Sequence, residues 1–233
     1  MHLFYNSVIS DNIINLNEEE SKHCIRVLRL KSNDIVWVTD GNGKMYKTSI
    51  IDDNKNKCVL NIIETIDNYN QRKYKLHLAI SPLQNSERLE WFVEKATESG
   101  IDEITPILCE HSERKNINVE RLKKVAVSAM KQSLKAYLPK INPLVKYNDF
   151  IKNDFNGLKG IAYCTDERQH ITDWYKKNSD CLILIGPEGD FSQKEIDFAL
   201  QYKYTVISLG NSRLRTETAA ITACMVFNFL NKM

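Results

Sequence analysis

No run of this sequence is long and apolar enough to span a bilayer, and the N-terminus, Met1-His2-Leu3-Phe4-Tyr5, lacks the basic start and apolar stretch of a secretion signal. A soluble, cytoplasmic protein is expected. No C-x-x-C pair occurs among the six cysteines (Cys24, Cys58, Cys109, Cys164, Cys181, Cys224), several of which sit inside apolar segments. That argues against a disulfide framework or a metal site and for small buried residues in a reducing compartment. No charge of one sign dominates: 32 basic and 30 acidic residues leave a net +2, so any nucleic-acid surface has to be a local patch. Repeats, low-complexity tracts, a G-x-G-x-x-G fingerprint and a G-K-[ST] phosphate loop are all missing. What is present is a hydrophobic content of 42% over 233 residues, enough to bury a core in one large domain or in a domain plus a small module.

Hydrophobic patterning divides the chain. Strand-like segments at 3–5, 34–39, 44–51 and 57–66 alternate with turn chemistry such as Gly41-Asn42-Gly43, which predicts a small antiparallel β module. One helix interrupts it: Asn17 is an N-cap, Glu20 stands at the capping-box position, and Cys24, Ile25 and Leu28 follow at helical spacing. Lys22, Arg26 and Arg29 recur on that helix, either as a solvated face or as a phosphate-binding stripe. The polar stretch 67–73 places a boundary, giving domains of 1–70 and 71–233. Beyond it, strands at 75–80, 103–108, 160–164, 181–185 and 205–209 alternate with helices at 86–99, 118–134, after Ser192 and at 217–230, which predicts an α/β domain with a mostly parallel sheet. Ser192 and Glu195 form a capping box, and Thr216 is placed as the cap of the last helix.

Function concentrates where two buried strands break into loops. The first loop is Gly186-Pro187-Glu188-Gly189-Asp190-Phe191-Ser192, and the second is Leu209-Gly210-Asn211-Ser212-Arg213-Leu214-Arg215-Thr216-Glu217. Both lie at carboxyl ends of strands, where open α/β sheets build ligand crevices. Glycines clear room for a ligand near the backbone, and Pro187 stiffens the loop. Arg215 at a helix N-terminus opposes the macrodipole. Two readings stand side by side: an ion pair with Glu188 or Glu217 that orders the loop, or a cation that stabilises charge on a ligand while Glu217 accepts a proton or orients a donor.

The segments 185–192 and 208–219, with Glu94-Lys95-Ala96-Thr97-Glu98-Ser99-Gly100 and the opening His23-Cys24-Ile25-Arg26-Val27-Leu28-Arg29, closely resemble the bacterial ribosomal RNA small-subunit methyltransferase E family across essentially the whole chain. The resemblance implies S-adenosylmethionine-dependent methylation of N3 of one uridine in 16S ribosomal RNA. It implies a PUA-like β-barrel joined to a SPOUT domain whose C-terminal segment forms a deep trefoil knot, working as a homodimer on the RNA or the small subunit. Carried over, it assigns the cofactor to Thr165, Ile185, Gly186, Glu188, Gly189, Leu209, Gly210, Leu214 and Arg215. Two departures stand out: Gln84 occupies a position before Arg88 where the family commonly has lysine, and Lys131-Gln132-Ser133 replaces the usual Glu-Gln-Ser.

Uridine N3 carries a proton, and its loss shifts negative charge onto the neighbouring carbonyl oxygens, so a cation aimed there favours the transition state. Arg215 is assigned that role, with Glu217 positioning it or taking the proton. Arg26, Arg29, Lys31, Arg88 and Arg114 are the candidates for phosphate contact. Competing expectations are a sister SPOUT enzyme acting on another RNA position, a noncatalytic RNA-binding assembly factor, and, last, a small-molecule phosphate or nucleotide enzyme.

Overall fold

The computed structural model describes residues 1–10, 12–164 and 169–231. They form two compact units, one of Met1–Gln71 with Val127–Leu138, the other of Arg72–Ala126 with Pro139–Met233.

The first unit is built on β1 (Leu3–Tyr5), β2 (Ile13–Asn15), β3 (Ile35–Thr39), β4 (Met45–Asp52) and β5 (Val59–Ile66), in the sheet order β1-β3-β4-β5-β2. Pairing is antiparallel except between β1 and β3. The core follows period-two alternation: Phe4, Val36, Val38, Ile50 and Leu60 point inward together with Ile14 and Leu16. Helix α1 (Glu18–Lys22) starts where Asn17 accepts the Glu20 N–H at 2.8 Å. Its capping box is only half made, because the Glu20 carboxylate turns to Lys131 instead of returning to the Asn17 N–H. The predicted helix does not continue as an α-helix either; residues His23–Val27 widen into a π-turn. Segment 127–138, assigned by patterning to the second domain, closes this unit through Gly43 N–H to Ala136 O (2.9 Å), Leu138 N–H to Gly41 O (2.9 Å) and the packing of Ala136 on Leu3 and Met45.

The second unit alternates β6 (Leu76–Ile80), α2 (Ser86–Ser99), β7 (Glu103–Leu108), α3 (Val119–Gln132), β8 (Lys140–Ile141), β9 (Val145–Lys146), α4 (Tyr147–Ile151), β10 (Leu158–Ala162), β11 (Gln169–His170), α5 (Ile171–Trp174), β12 (Cys181–Ile185), α6 (Gln193–Gln201), β13 (Thr205–Ser208) and α7 (Thr216–Leu230), the last turns of α3 belonging to the first unit. Its parallel sheet runs β11-β13-β10-β12-β6-β7-β8, with β9 on β7. Strands β6 and β12 are buried along their whole length, as an apolar run covered on both faces requires. Helix α2 buries Leu89, Phe92, Val93 and Ala96 and stops at Gly100, whose φ of 93° allows its N–H to reach Ala96 O and Thr97 O. Connections leave β6 toward β7 in one direction and resume beyond β12 at β10, so the order reverses beside β12 and opens a crevice at the strand ends.

Candidate active site

Three successive loop regions converge at that crevice. They enclose a cavity of about 700 Å³ lined from the end of β10 (Ala162, Tyr163, Cys164), the loop after β12 and the loop after β13. The size and mixed lining suit one organic ligand of nucleoside dimensions.

The β12 loop is held from within. Asp190 N–H bonds Pro187 O at 2.9 Å, which turns Asp190 into the left-handed region at φ 63°, and its Oδ1 accepts the Phe191 N–H at 2.8 Å. His111 Nδ1 lies 3.0 Å from Asp190 O. Gly186 is pressed on Phe191, where a Cβ would lie 3.0 Å from the ring. The loop ends in a complete capping box: Glu195 N–H to Ser192 Oγ, and Ser192 N–H to Glu195 Oε2 at 2.9 Å. Burial pushes the Asp190 carboxyl above the usual carboxylate range, opposed by the Phe191 hydrogen bond and by nearby Arg213 and His111.

The β13 loop turns at Gly210, whose φ of 126° is closed to ordinary side chains and whose N–H bonds Ser208 Oγ at 3.1 Å. Helix α7 begins at Thr216, one residue earlier than expected, and Arg215 is its N-cap with no side-chain cap bond. Thr216 is itself buried inside the first turn, so it cannot serve as the cap that patterning suggested.

The two readings of Arg215 separate here. Glu188 Oε1 accepts the backbone N–H of Gln84 at 3.2 Å, and Glu217 pairs with Arg88 at 3.8 Å. Neither glutamate holds Arg215, whose exposed side chain lines the cavity with no ion pair or hydrogen bond among the described residues. Glu217 is buried, and its Oε2 has no hydrogen-bond partner among the described residues.

Of the residues assigned to the cofactor, Ile185, Gly186, Glu188, Leu209, Gly210, Leu214 and Arg215 line the cavity. Gly189 sits beside it, its Cβ position 3.2 Å from His111 Cβ, and Thr165 lies outside the described residues. Asp190, Arg213 and Ser208, which lie in the singled-out loop segments but are given no role by the sequence reading, and Tyr163, which it passes over, line the same wall. Asp190 carried a readable signal, a turn-forming residue inside a Gly-Pro loop; Tyr163 and Ser208 carried none. Of the phosphate candidates, Arg26, Arg29 and Lys31 lie in the first unit, exposed, their side chains without an acidic partner among the described residues, while the Lys31 backbone N–H donates to Asp34 Oδ2 at 2.7 Å. In the second unit, Arg114 Nε donates to Asn116 O at 3.0 Å, and Arg88 is engaged by Glu217.

The family described as RNA methyltransferase domain matches residues 70–228, and the family described as RNA methyltransferase PUA domain matches residues 16–63. Ribosomal RNA small subunit methyltransferase E of Rickettsia conorii is 31% identical over 95% of this chain and 92% of its own length. The chain belongs to the ribosomal RNA small subunit methyltransferase E family. Among solved structures, a probable rRNA-methyltransferase from Porphyromonas gingivalis superposes with a TM-score of 0.93 at 38% identity, covering 100% of this chain and 99% of that one. A Legionella pneumophila structure, described as a putative methyltransferase in complex with the bound cofactor SAM, has a TM-score of 0.88 at 26% identity, covering 97% of this chain and 96% of that one. For this family the curled N-terminal sheet is the PUA domain and the parallel sheet with its cavity is the methyltransferase domain.

Proposed function

We propose that the protein methylates small-subunit ribosomal RNA with S-adenosylmethionine, and that the acceptor is N3 of a uridine in 16S RNA. The observation that carries the reading is Arg215, an unpaired guanidinium on the wall of a ligand-sized cavity in a chain of this family. The cavity fits the cofactor: Gly210 leaves open space where a side chain would stand, apolar Ile185, Leu209 and Leu214 suit a purine, and the Asp190 carboxylate suits a cation. When bound, the cofactor supplies an electrophilic methyl group on a positively charged sulfur.

The residues of this chain do the rest by alignment and electrostatics. The β12 and β13 loops hold donor and acceptor in line and shut out water. Arg215 donates hydrogen bonds to a uracil carbonyl oxygen, where charge gathers as N3 gives up its proton to solvent ahead of methyl transfer. Glu217 faces Arg88 and is not among the cavity-lining residues, so its part is to order the first turn of α7 rather than to take that proton. N3 lies on the Watson–Crick edge, so the uridine is read unpaired or extruded. Arg26, Arg29, Lys31 and Arg114 grip the surrounding phosphates.

Two architectural features belong to this reading. A C-terminal trefoil knot is supported by the path of the chain, which leaves β13 beyond β10 and returns to pack α7 on α2, β6 and β12. A homodimer is supported by Trp91, Met225 and Phe229, which lie 43%, 37% and 68% exposed on the mutually packed helices α2 and α7. None of the helices of the described residues is long and apolar enough to cross a membrane, and no group of residues there is suited to hold a metal ion.

The test is transfer of labelled methyl to unmodified small subunits or their RNA, followed by nucleoside mass spectrometry. Finding 3-methyluridine supports the assignment. A different methylated nucleoside moves it to a sister enzyme, and cofactor binding without transfer to either substrate points to an RNA-binding assembly factor. Arg215→Ala should remove most of the turnover while cofactor affinity stays within a few-fold, read by calorimetry beside the same assay.

A further inference from the structure

We propose that Arg88 is a positioning residue for Arg215: by neutralising Glu217 it fixes the first turn of α7 and keeps the Arg215 guanidinium free to face the substrate. The inference rests on the function proposed above and adds a residue to its machinery.

Arg215 is the N-cap of α7 and Glu217 lies two residues on in its first turn, a spacing at which side chains do not face each other while the turn keeps its helical form; loss of that order would let the flexible guanidinium reach the carboxylate. The Glu217 carboxylate is nine-tenths buried, outside the residues that line the cavity, with one oxygen lacking any hydrogen-bond partner among the described residues. A buried carboxylate in that state needs compensation. The helix N-terminus supplies part of it, and Arg88 Nε at 3.8 Å supplies the opposite charge.

Arg88 is itself well placed for the task. It lies in the first turn of α2, whose start is anchored by the Asn85 side chain accepting the Glu87 N–H at 2.8 Å. Four residues earlier, the Gln84 N–H holds Glu188 Oε1. One short segment, 84–88, therefore occupies the two glutamates that flank the cavity loops, and the Arg215 side chain is left without a partner among the described residues. A half-exposed arginine committed to a buried carboxylate differs from the surface cations Arg26 and Arg29, which have no such partner among the described residues.

The experiment compares Arg88→Ala, Arg88→Lys, Glu217→Gln and the double variant Arg88→Ala/Glu217→Gln in the methyl-transfer assay, with cofactor and RNA affinities measured separately. Arg88→Ala is expected to lower kcat roughly 10- to 100-fold through misplacement of Arg215. KM for RNA, its salt dependence and the cofactor Kd should hold within about threefold, and Arg88→Lys should recover most of the rate. The double variant should be no slower than Arg88→Ala alone, because a neutral glutamine no longer needs the cation. A smaller salt slope with kcat intact would make Arg88 a phosphate contact, and fully additive losses would show no coupling; either result overturns the inference, as does an unchanged Arg88→Ala. A wild-type protein that yields no methylated nucleoside fails the proposed function and removes this inference with it, whereas an active wild type with an unaffected Arg88→Ala fails the inference alone.

Discussion

Gly210, His77 and Cys164 show how single residues report on this molecule. At φ 126°, Gly210 occupies backbone space that an alanine enters only under strain, so Gly210→Ala should weaken S-adenosylmethionine binding by about tenfold, measurable by calorimetry. His77 is buried under Phe150 and Phe155, with Nε2 2.7 Å from Thr105 Oγ1 and Nδ1 4.0 Å from Glu103. Burial lowers its pKa to about 4, with Lys140 lowering it further and Glu103 opposing. The unfolded chain binds this proton near the ordinary value of about 6.5, so the unfolded state gains protons first as pH falls. The contribution of His77 to stability should be complete above about pH 6.5 and lost progressively toward pH 4, on the order of 3 kcal/mol in all. Urea titrations at pH 7 and pH 5, compared with His77→Asn, would show it as a pH difference that the variant lacks. Cys164 is the exposed cysteine and lines the cavity, whereas burial pushes the Cys224 thiol up to about 12. A thiol reagent should therefore label the native protein at Cys164 first, and S-adenosylmethionine should slow that labelling; unprotected labelling would place the cofactor elsewhere.

Among the elements, legibility followed length and punctuation. Helix α2 over Ser86–Ser99 was readable because Asn85 and Gly100 bracket a clean apolar face, and β7 and β12 because apolar runs end in turn signals. Strands β8, β9 and β11 have two residues each, too few for any period to emerge, and the three-residue β2 is recruited by pairing with β5 instead of by its own pattern. The π-turn after α1 was invisible for a related reason: Cys24 and Ile25 have helical spacing, and the widened turn shows only in Leu28 N–H reaching back to His23 O. The departure at Lys131 finds its explanation at this scale. Lys131, near the end of α3, pairs with buried Glu20 of α1, a long-range ion pair within the first unit. Lys131→Ala leaves the Glu20 carboxylate buried and unpaired and should cost roughly 2 kcal/mol in urea unfolding, with Glu20→Gln restoring part of the loss in the double variant. Full additivity of the two would show that the pair is not coupled.

For the molecule as a whole, the cavity was legible as loop chemistry at strand ends, and much of its wall came from residues named on that ground. The partners of Glu188 and Glu217 were not, because Gln84 and Arg88 stand more than a hundred residues away and only the sheet order brings them near. The basic cluster is a property of one unit against an almost neutral background, so replacing Arg26, Arg29 and Lys31 together by alanine should reduce the slope of log K against log salt for RNA by about 2 to 3. An unchanged slope returns them to solvated surface. The first unit is also discontinuous in the chain, since Gly41, Gly43, Leu3 and Met45 find their partners in residues 136–138. On a ribosome, residues 1–71 emerge first and wait for a stretch made some sixty residues later before their last backbone groups and apolar side chains are covered. At a synthesis rate of about 5–20 residues per second, that interval lasts several seconds. The nascent N-terminal module would spend it with an open edge that a chaperone can hold, and a fragment cut after Gln71 would keep that edge permanently.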